Sequence, residues 1–368
     1  MRPGNGPTRT VPQPPRPALF SGQGLAFVRA GTTLAKTWGI VMQDMLTLAA
    51  DNLLSPIILC FVLGLSAALA RSDLTFPEAI AKGMSLYLLF AIGFKGGVAV
   101  ATSGMSLQLG LSLLVGVVLS ALIPFLAFAM LRVMTRLSVT DAAAVAAHYG
   151  SISIVTFVAG SSVLEAQGIT FEGYMVAVAA AMEAPAILSA LWLISRTGGS
   201  ADTDQGGHLW REIMLNGSIV LLVGAFAIGW ITGPDGKAEI DAFITAPFKG
   251  VLCLFLLDMG LVAGRGLRQA RGEVRGGVLA FGLVMPLLGA SLGLMGAMLI
   301  GLSLGGAVLL MVLAASASYI AVPAAMRVAL PAANPAVSLT LALGVTFPFN
   351  LTLGIPLYLA VASAILGG

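Results

Sequence analysis

The stretch His148–Val158, HYGSISIVTFV, decides how this chain folds. It sets a His, a Gly, two Ser and a Thr within a run that is otherwise apolar on both sides. Buried polar groups are costly where nothing satisfies them, so a segment of this kind has to serve a purpose. What surrounds it fixes the setting. Of the 368 residues, 58% are hydrophobic and only 10% charged, with a mean hydropathy of +0.98. Soluble domains carry about 25% charged residues, so the composition describes an integral membrane protein.

The apolar segments cover 53–70, 78–101, 105–131, 140–162, 172–195, 213–232, 243–264, 275–300, 304–328 and 335–364. Each is near or above the ~20 residues of a spanning helix. The expected fold is therefore all-α, with about ten transmembrane helices. Barrel strands would be about half as long and would alternate in polarity, which these segments do not. Cys60 and Cys253 fall in spans without metal-ligand spacing and read as packing residues. Residues 1–45 form a separate tail, extended, disordered or interfacial, which begins with the Pro- and Arg-rich MRPGNGPTRTVPQPPRP and lacks the apolar core of a cleaved signal.

Basic residues set the expected topology. Eleven Lys and Arg, from Arg71 and Lys82 to Arg275 and Arg327, fall in the loops after odd-numbered spans, against Lys237 and Lys249 after even-numbered ones. The positive-inside rule then puts the odd loops in the cytoplasm and both termini outside. Five basic residues in the tail oppose this without reversing it. The setting is the cell's inner, or plasma, membrane.

The two halves match at a shift of 165 positions. Leu89–Phe90 falls on Leu254–Phe255, and Ser151-x-Ser153 on Ser316-x-Ser318. Gly93-x-x-x-Gly97 lies close to Gly260-x-x-x-Gly264 under nearly the same shift. We read a first five-helix repeat over 46–197, a cytoplasmic loop at 198–211 and a second repeat over 212–368. An odd number of spans per repeat makes the copies inverted, and inverted repeats of transporters place their sites where interrupted helices meet near the midplane.

HYGSISIVTF in span 4 and SASYIAVPAAM in span 9 are the matching places. Gly150 in the first and Pro323 in the second are expected to let each helix break. Broken helices present free N–H groups that attract anions, while hydroxyls and carbonyls suit a small hard cation such as Na⁺. The few intramembrane charges cost several kcal/mol unless paired or facing a cavity. Lys95 and Asp258 lie near equivalent repeat positions and are expected to form an ion pair. Glu183, beside the kinking Pro185, is a candidate cation or proton site. His148 reads as hydrogen-bonded structure. The Gly-rich faces Gly289-x-x-x-Gly293 and Gly301-x-x-x-Gly305 are expected to allow sliding of a core (spans 3–5 and 8–10) against the remaining helices.

Together HYGSISIVTFV, GYMVAVAAAMEAPAI, AASASYIAVPAAMRVALPAANPA and LGVTFPFNLTLGIPLYL resemble the sodium-dependent bicarbonate transporter family, related to the cyanobacterial symporters. The resemblance covers about residues 45–368. It implies a gate domain and a core domain, a homotrimer, HCO₃⁻ import coupled to Na⁺ and a PII-like regulatory protein on the cytoplasmic face. It also implies that Ser153 and Thr156, with Ser316 and Ser318, carry the site, to which the residues themselves add Gly150, Ser151, Tyr319 and Glu183 as candidates. Na⁺ is expected near Ser153, Ser318 and Glu183. Two departures stand out: Ile154-Val155 replaces a Gly-Ser of the cyanobacterial pattern, and Tyr319 replaces an acidic residue.

The sequence leaves open an uncoupled or proton-coupled carrier of another small organic anion, or a non-transporting receptor or scaffold. It carries no His-Glu-x-x-His, Gly-x-Ser-x-Gly or phosphate-loop motif, so no enzyme is expected and no cofactor beyond the coupling ion. The basic run 265–275 reads as ordinary cytoplasmic anchoring.

Overall fold

The computed structural model describes residues 54–104, 106–197, 215, 217–269, 276–320, 322–323, 326, 330 and 332–367. The tail 1–45, the loop 198–211 and the basic run beyond Gln269 lie outside these residues. Among those described there is no strand. The helices are α1 (Pro56–Leu69), α2 (Glu78–Ser103), α3 (Leu107–Met134), α4 (Val139–Gly150), α5 (Ile154–Ala166), α6 (Met175–Ala181) and α7 (Glu183–Thr197). They are followed by α8 (Gly217–Ile244), α9 (Phe248–Gln269), α10 (Gly277–Ile300) and α11 (Leu304–Ala315). The last span runs without interruption through α12 (Pro335–Leu341), a π-helical turn (Ala342–Thr346), the single turn α13 (Phe347–Phe349), a second π-helical turn (Asn350–Gly354) and α14 (Ile355–Leu366).

Among the described residues seven stretches, with α4–α5, α6–α7 and α12–α14 each taken as one, are long and apolar enough to cross a membrane. The apolar helices α1 and α11 are shorter, and α8 kinks at Gly233, whose φ of 61° precedes Pro234. This is a multi-pass membrane protein.

Hydroxyl caps mark the start of five helices. Ser55, Ser106, Ser138, Ser153 and Ser303 each accept a backbone N–H from the first turn that follows. Such a cap satisfies one of the donors that a helix start leaves without partners. Ser138 and Ser303 lie 165 positions apart, and the 12-residue helices that they cap end at Ser151 and Ser316, again 165 apart. The shift found in the sequence is thus repeated in helix boundaries. Pro185 sits in the first turn of α7, where a missing N–H is tolerated, and the bend comes just before it at Met182.

Packing pairs the halves crosswise. α2 runs along α8, and α9 along α1. A Cβ at Gly97 would collide with the Phe226 carbonyl, and one at Gly260 with that of Phe61. Only glycine lets backbones approach so closely. Gly289 and Gly293 bring α10 onto the Ala314 and Leu310 carbonyls of α11. Both helices belong to the same expected core, so this contact joins the core instead of providing a sliding surface. Gly301 is a left-handed C-cap at φ 66°, a position that any side chain would strain.

Candidate functional site: a crossing of two interrupted helices

α4 ends at Gly150 and α5 begins at Ile154. Between them Ser151 and Ser153 are extended, with φ, ψ of −85°, 158° and −105°, 108°. α11 ends at Ala315, and Ser316 is extended in the same way at −87°, 164°. The two extended segments cross antiparallel. The Ser153 N–H donates to Ser316 Oγ at 2.9 Å, and the Ser318 N–H donates to the His148 carbonyl at 2.7 Å. Non-helical backbone within a membrane survives only when buried in protein or lining a watery cavity, and Ser151, Ser153, Ser316 and Ser318 are all buried. Gly150 is still helical, and its lack of a Cβ admits Pro124 of α3 and Ala186 of α7. The break therefore belongs to Ser151–Ser153, and Gly150 serves packing.

Four further hydrogen bonds surround the crossing. Asn350 Nδ2 donates to the Ala315 carbonyl at 2.9 Å, which α11 leaves free by ending there. Tyr358 OH donates to Asn350 Oδ1 at 2.8 Å. Thr346 Oγ1 donates to the Gly282 carbonyl at 2.7 Å, and this leaves Tyr149 OH, 2.6 Å away, to donate to Thr346. Asn350 and Thr346 belong to the two π-helical turns, a feature frequent at functional sites. The sequence reading missed Tyr149, Thr346, Asn350 and Tyr358. A signal was available in FPFN, where an Asn sits within an apolar span.

Several polar groups at the crossing remain unspent. Of the four orphan donors at the start of α5, the Ser153 N–H goes to Ser316 and the Thr156 N–H to Ser153 Oγ. The Ile154 and Val155 N–H groups take no partner among the described residues. Ser151 Oγ and Tyr319 OH are buried without hydrogen-bond partners. Tyr319 OH lies beside Ser153 but outside hydrogen-bonding geometry. His148 Nδ1 sits 2.7 Å from the Ala144 carbonyl and must donate to it. In the neutral ring Nε2 is then a bare acceptor, and it too has no partner. Glu183 Oε2, buried at the bend between α6 and α7, is likewise without one. Such orphans mark places where a ligand supplies the missing bonds.

The other expected charged site is not assembled. The one ion pair among the described residues joins Lys237 and Asp241 at 4.0 Å. Lys95 Nζ instead lies 4.9 Å from the Phe248 ring centroid, a cation–π contact that offsets part of its burial. Asp258, buried in α9, has Arg265 as its electrostatic neighbour. Among the described residues no three His, Cys, Asp or Glu side chains converge on a point. A cation at the crossing would therefore rely on hydroxyls and carbonyls.

A cavity of about 740 Å³ reaches the crossing from one end of the molecule. Glu78, Lys82 and Arg265 stand at its outer end and Tyr319 and Ile320 at its inner end, between α2, α9 and the last span. Comparison with known families gives a match over residues 56–363, from the first residue of α1 into α14 and across both interruptions. The chain belongs to the Na⁺-dependent bicarbonate transporter superfamily. A search of individually curated proteins finds no match. Superfamily membership makes the protein a membrane transporter and agrees with the resemblance read from the four motifs. The matched region includes Asn350 and Tyr358 together with the serines, so the whole bonded crossing lies within it.

Proposed function

We propose that the protein is a secondary transporter that imports bicarbonate with Na⁺ by alternating access. The observation that carries this reading is the antiparallel crossing with its unspent groups. Bicarbonate is small, flat and singly charged. The Ile154 and Val155 N–H groups offer donors at a helix N-terminus, whose dipole also favours an anion. Ser151 Oγ and Tyr319 OH offer two more. The oxygens of Ser153 and Ser318, with Glu183, are the proposed Na⁺ ligands, and Gly150, Thr156 and Ser316 hold the frame. Binding both ions together offsets their charges in a low-dielectric setting, which supports coupling.

The same reading takes the chain as ten spans in two inverted five-helix repeats. The equal capping and breaking points, 165 residues apart, support it, as does the crosswise pairing of α2 with α8 and α9 with α1. Spans 3–5 and 8–10 form the moving core, and spans 1, 2, 6 and 7 the gate domain. A homotrimer, outward termini and a PII-like protein on the cytoplasmic face complete the proposal on the strength of the resemblance.

Radiolabelled bicarbonate uptake into proteoliposomes tests it. Uptake that rises with an inward Na⁺ gradient is expected; folded protein with no uptake overturns the substrate. Tyr319 in place of the acidic residue favours a second reading, an uncoupled or proton-coupled carrier of a small organic anion. In that case uptake persists unchanged in Na⁺-free buffer.

A further inference from the structure

A second cavity, of about 290 Å³, lies toward the opposite end of the molecule. Lys249 and Gln167 stand at its exposed rim, and Cys253, Ser162, Ile58 and Leu351 line its interior. The two cavities share two walls. Along α9 the smaller one touches Lys249 and Cys253, and the larger one begins at Phe255, two residues or about 3 Å further along the helix, and continues through Met259. Along the last span the larger cavity touches Gly344 and the smaller one Leu351. Phe347 sits midway between these two. Its ring meets Tyr319 edge-on at 5.4 Å and 70°, and Phe61 of α1 edge-on at 5.4 Å and 76°. Tyr319 lines the larger cavity, while Ile57 and Ile58, one turn before Phe61, line the smaller. Phe347 and Phe61 are almost fully buried.

We infer that the two cavities are the halves of one conduction path, and that the stack Phe61–Phe347–Tyr319 is the gate between them. The inference rests on the transport reading above, and it assigns to the smaller cavity and to Phe347 a role that the crossing alone does not give them. The contents suit a path for a small anion. Each half has a mouth of net positive charge, Lys249 at one end and Lys82 and Arg265 against Glu78 at the other. The larger half ends at Tyr319, next to Ser318. The smaller half runs along Ala159 and Ser162 of α5, whose N-terminus at Ser153 is about 9 Å further on. Three edge-on rings form a dry, well-packed barrier. Phe347 is placed to move because it lies in one α-helical turn between two π-helical ones, and returning either to α-geometry rotates the ring relative to its neighbours.

The native Cys253 reports on this gate. In a Cys60→Ser background, a membrane-impermeant sulfonated thiol reagent is applied to right-side-out and inside-out vesicles. Cys253 is expected to react from the Lys249 face only, and Met259→Cys, in a background with both native cysteines replaced by Ser, from the Arg265 face only. Phe347→Ala is expected to speed labelling of Cys253 from the Arg265 face by at least about tenfold. Phe347→Leu, which keeps most of the packing, and Phe61→Ala serve if the first variant does not fold, as judged by size exclusion and melting. Equal labelling from both faces in the parent overturns the inference, and so do folded ring-removed variants that keep the parent's sidedness. The labelling needs no substrate, so absent bicarbonate uptake would remove the functional reading and leave the gate result standing. Lost sidedness in a parent that transports would do the reverse.

Discussion

The Ser153 amide and the Ser316 hydroxyl, 163 residues apart in the chain, meet at 2.9 Å where two interrupted helices cross. Ser316 Oγ simultaneously donates to the Leu313 carbonyl at 2.9 Å. One hydroxyl thus satisfies the start of one half-helix and the end of another. With the Ser318–His148 bond beside it, the crossing is held by the same atoms that would otherwise be unsatisfied in the membrane. Stability and site geometry are therefore the same interaction here.

Ser316→Ala should expose that dependence. It removes the acceptor for a buried N–H, which costs about 1–3 kcal/mol. The melting temperature is expected to fall and uptake to drop, while Ser316→Thr, which keeps the hydroxyl, retains both. Thermal denaturation in detergent with parallel uptake assays checks this. An Ala variant as stable as the parent would mean that the bond contributes nothing.

Asn350 is the next test. Its Nδ2 caps the Ala315 carbonyl and its Oδ1 takes the Tyr358 hydroxyl. Asn350→Leu leaves a buried carbonyl and a buried hydroxyl unpaired and is expected to lower the melting temperature strongly. Tyr358→Phe removes one donor and leaves the carbonyl bond in place, at about 1 kcal/mol. Melting curves of the two variants should rank in that order. The reverse ranking would show that Asn350 serves Tyr358 more than the α11 end.

How much of this was legible follows from the kind of signal each residue gives. The spans could be read because a bilayer demands long apolar runs, and the two crossing segments because paired Ser residues interrupt such runs at matching offsets. Lys95 and Asp258 were expected to pair on their repeat positions. Lys95 does meet α9, however, at its first residue Phe248, ten residues or about 15 Å before Asp258 along the helix, and Asp258 has Arg265 as its neighbour. Gly150 looked like a hinge, although what it provides is room for Pro124. Asn350 and Thr346 escaped because their partners, Ala315 and Gly282, are carbonyls with no mark in the sequence. The aromatic stack escaped for a similar reason: Phe61 and Phe347 are ordinary residues of an apolar helix until the fold sets them edge to edge.

Glu172 ties span 5 to span 9. Its carboxylate accepts the Ser303 N–H at 2.8 Å and the Ser303 hydroxyl at 2.9 Å, at the N-terminus of α11. In the other half Asp141, in the first turn of α4, accepts the Asn334 N–H at 2.8 Å at the start of the last span. Hydrogen bonds to charged groups are worth about 1.5–3 kcal/mol, and exposure reduces that here to roughly 1 kcal/mol. Glu172→Gln and Asp141→Asn are each expected to lower stability modestly. The double variant should show additive losses, since the two clamps share no partner. A denaturation series of the four proteins measures this, and strong non-additivity would show that the clamps communicate.

Glu183 decides between the coupling schemes. It is a buried carboxyl with one oxygen unpartnered, at the bend before α7. Glu183→Gln keeps its shape and removes its capacity for charge. If Glu183 helps to hold Na⁺ in place of the acid that Tyr319 replaces, the Gln variant folds normally but needs at least about tenfold more Na⁺ for half-maximal uptake, equivalent to about 1.4 kcal/mol. If the residue carries a proton instead, the Na⁺ dependence does not move and uptake loses its response to an imposed pH gradient. Uptake measured against Na⁺ concentration and against the pH gradient, in the parent and the variant, separates the two. A variant that matches the parent in both leaves Glu183 as packing and returns the cation to the hydroxyls and carbonyls of the crossing alone.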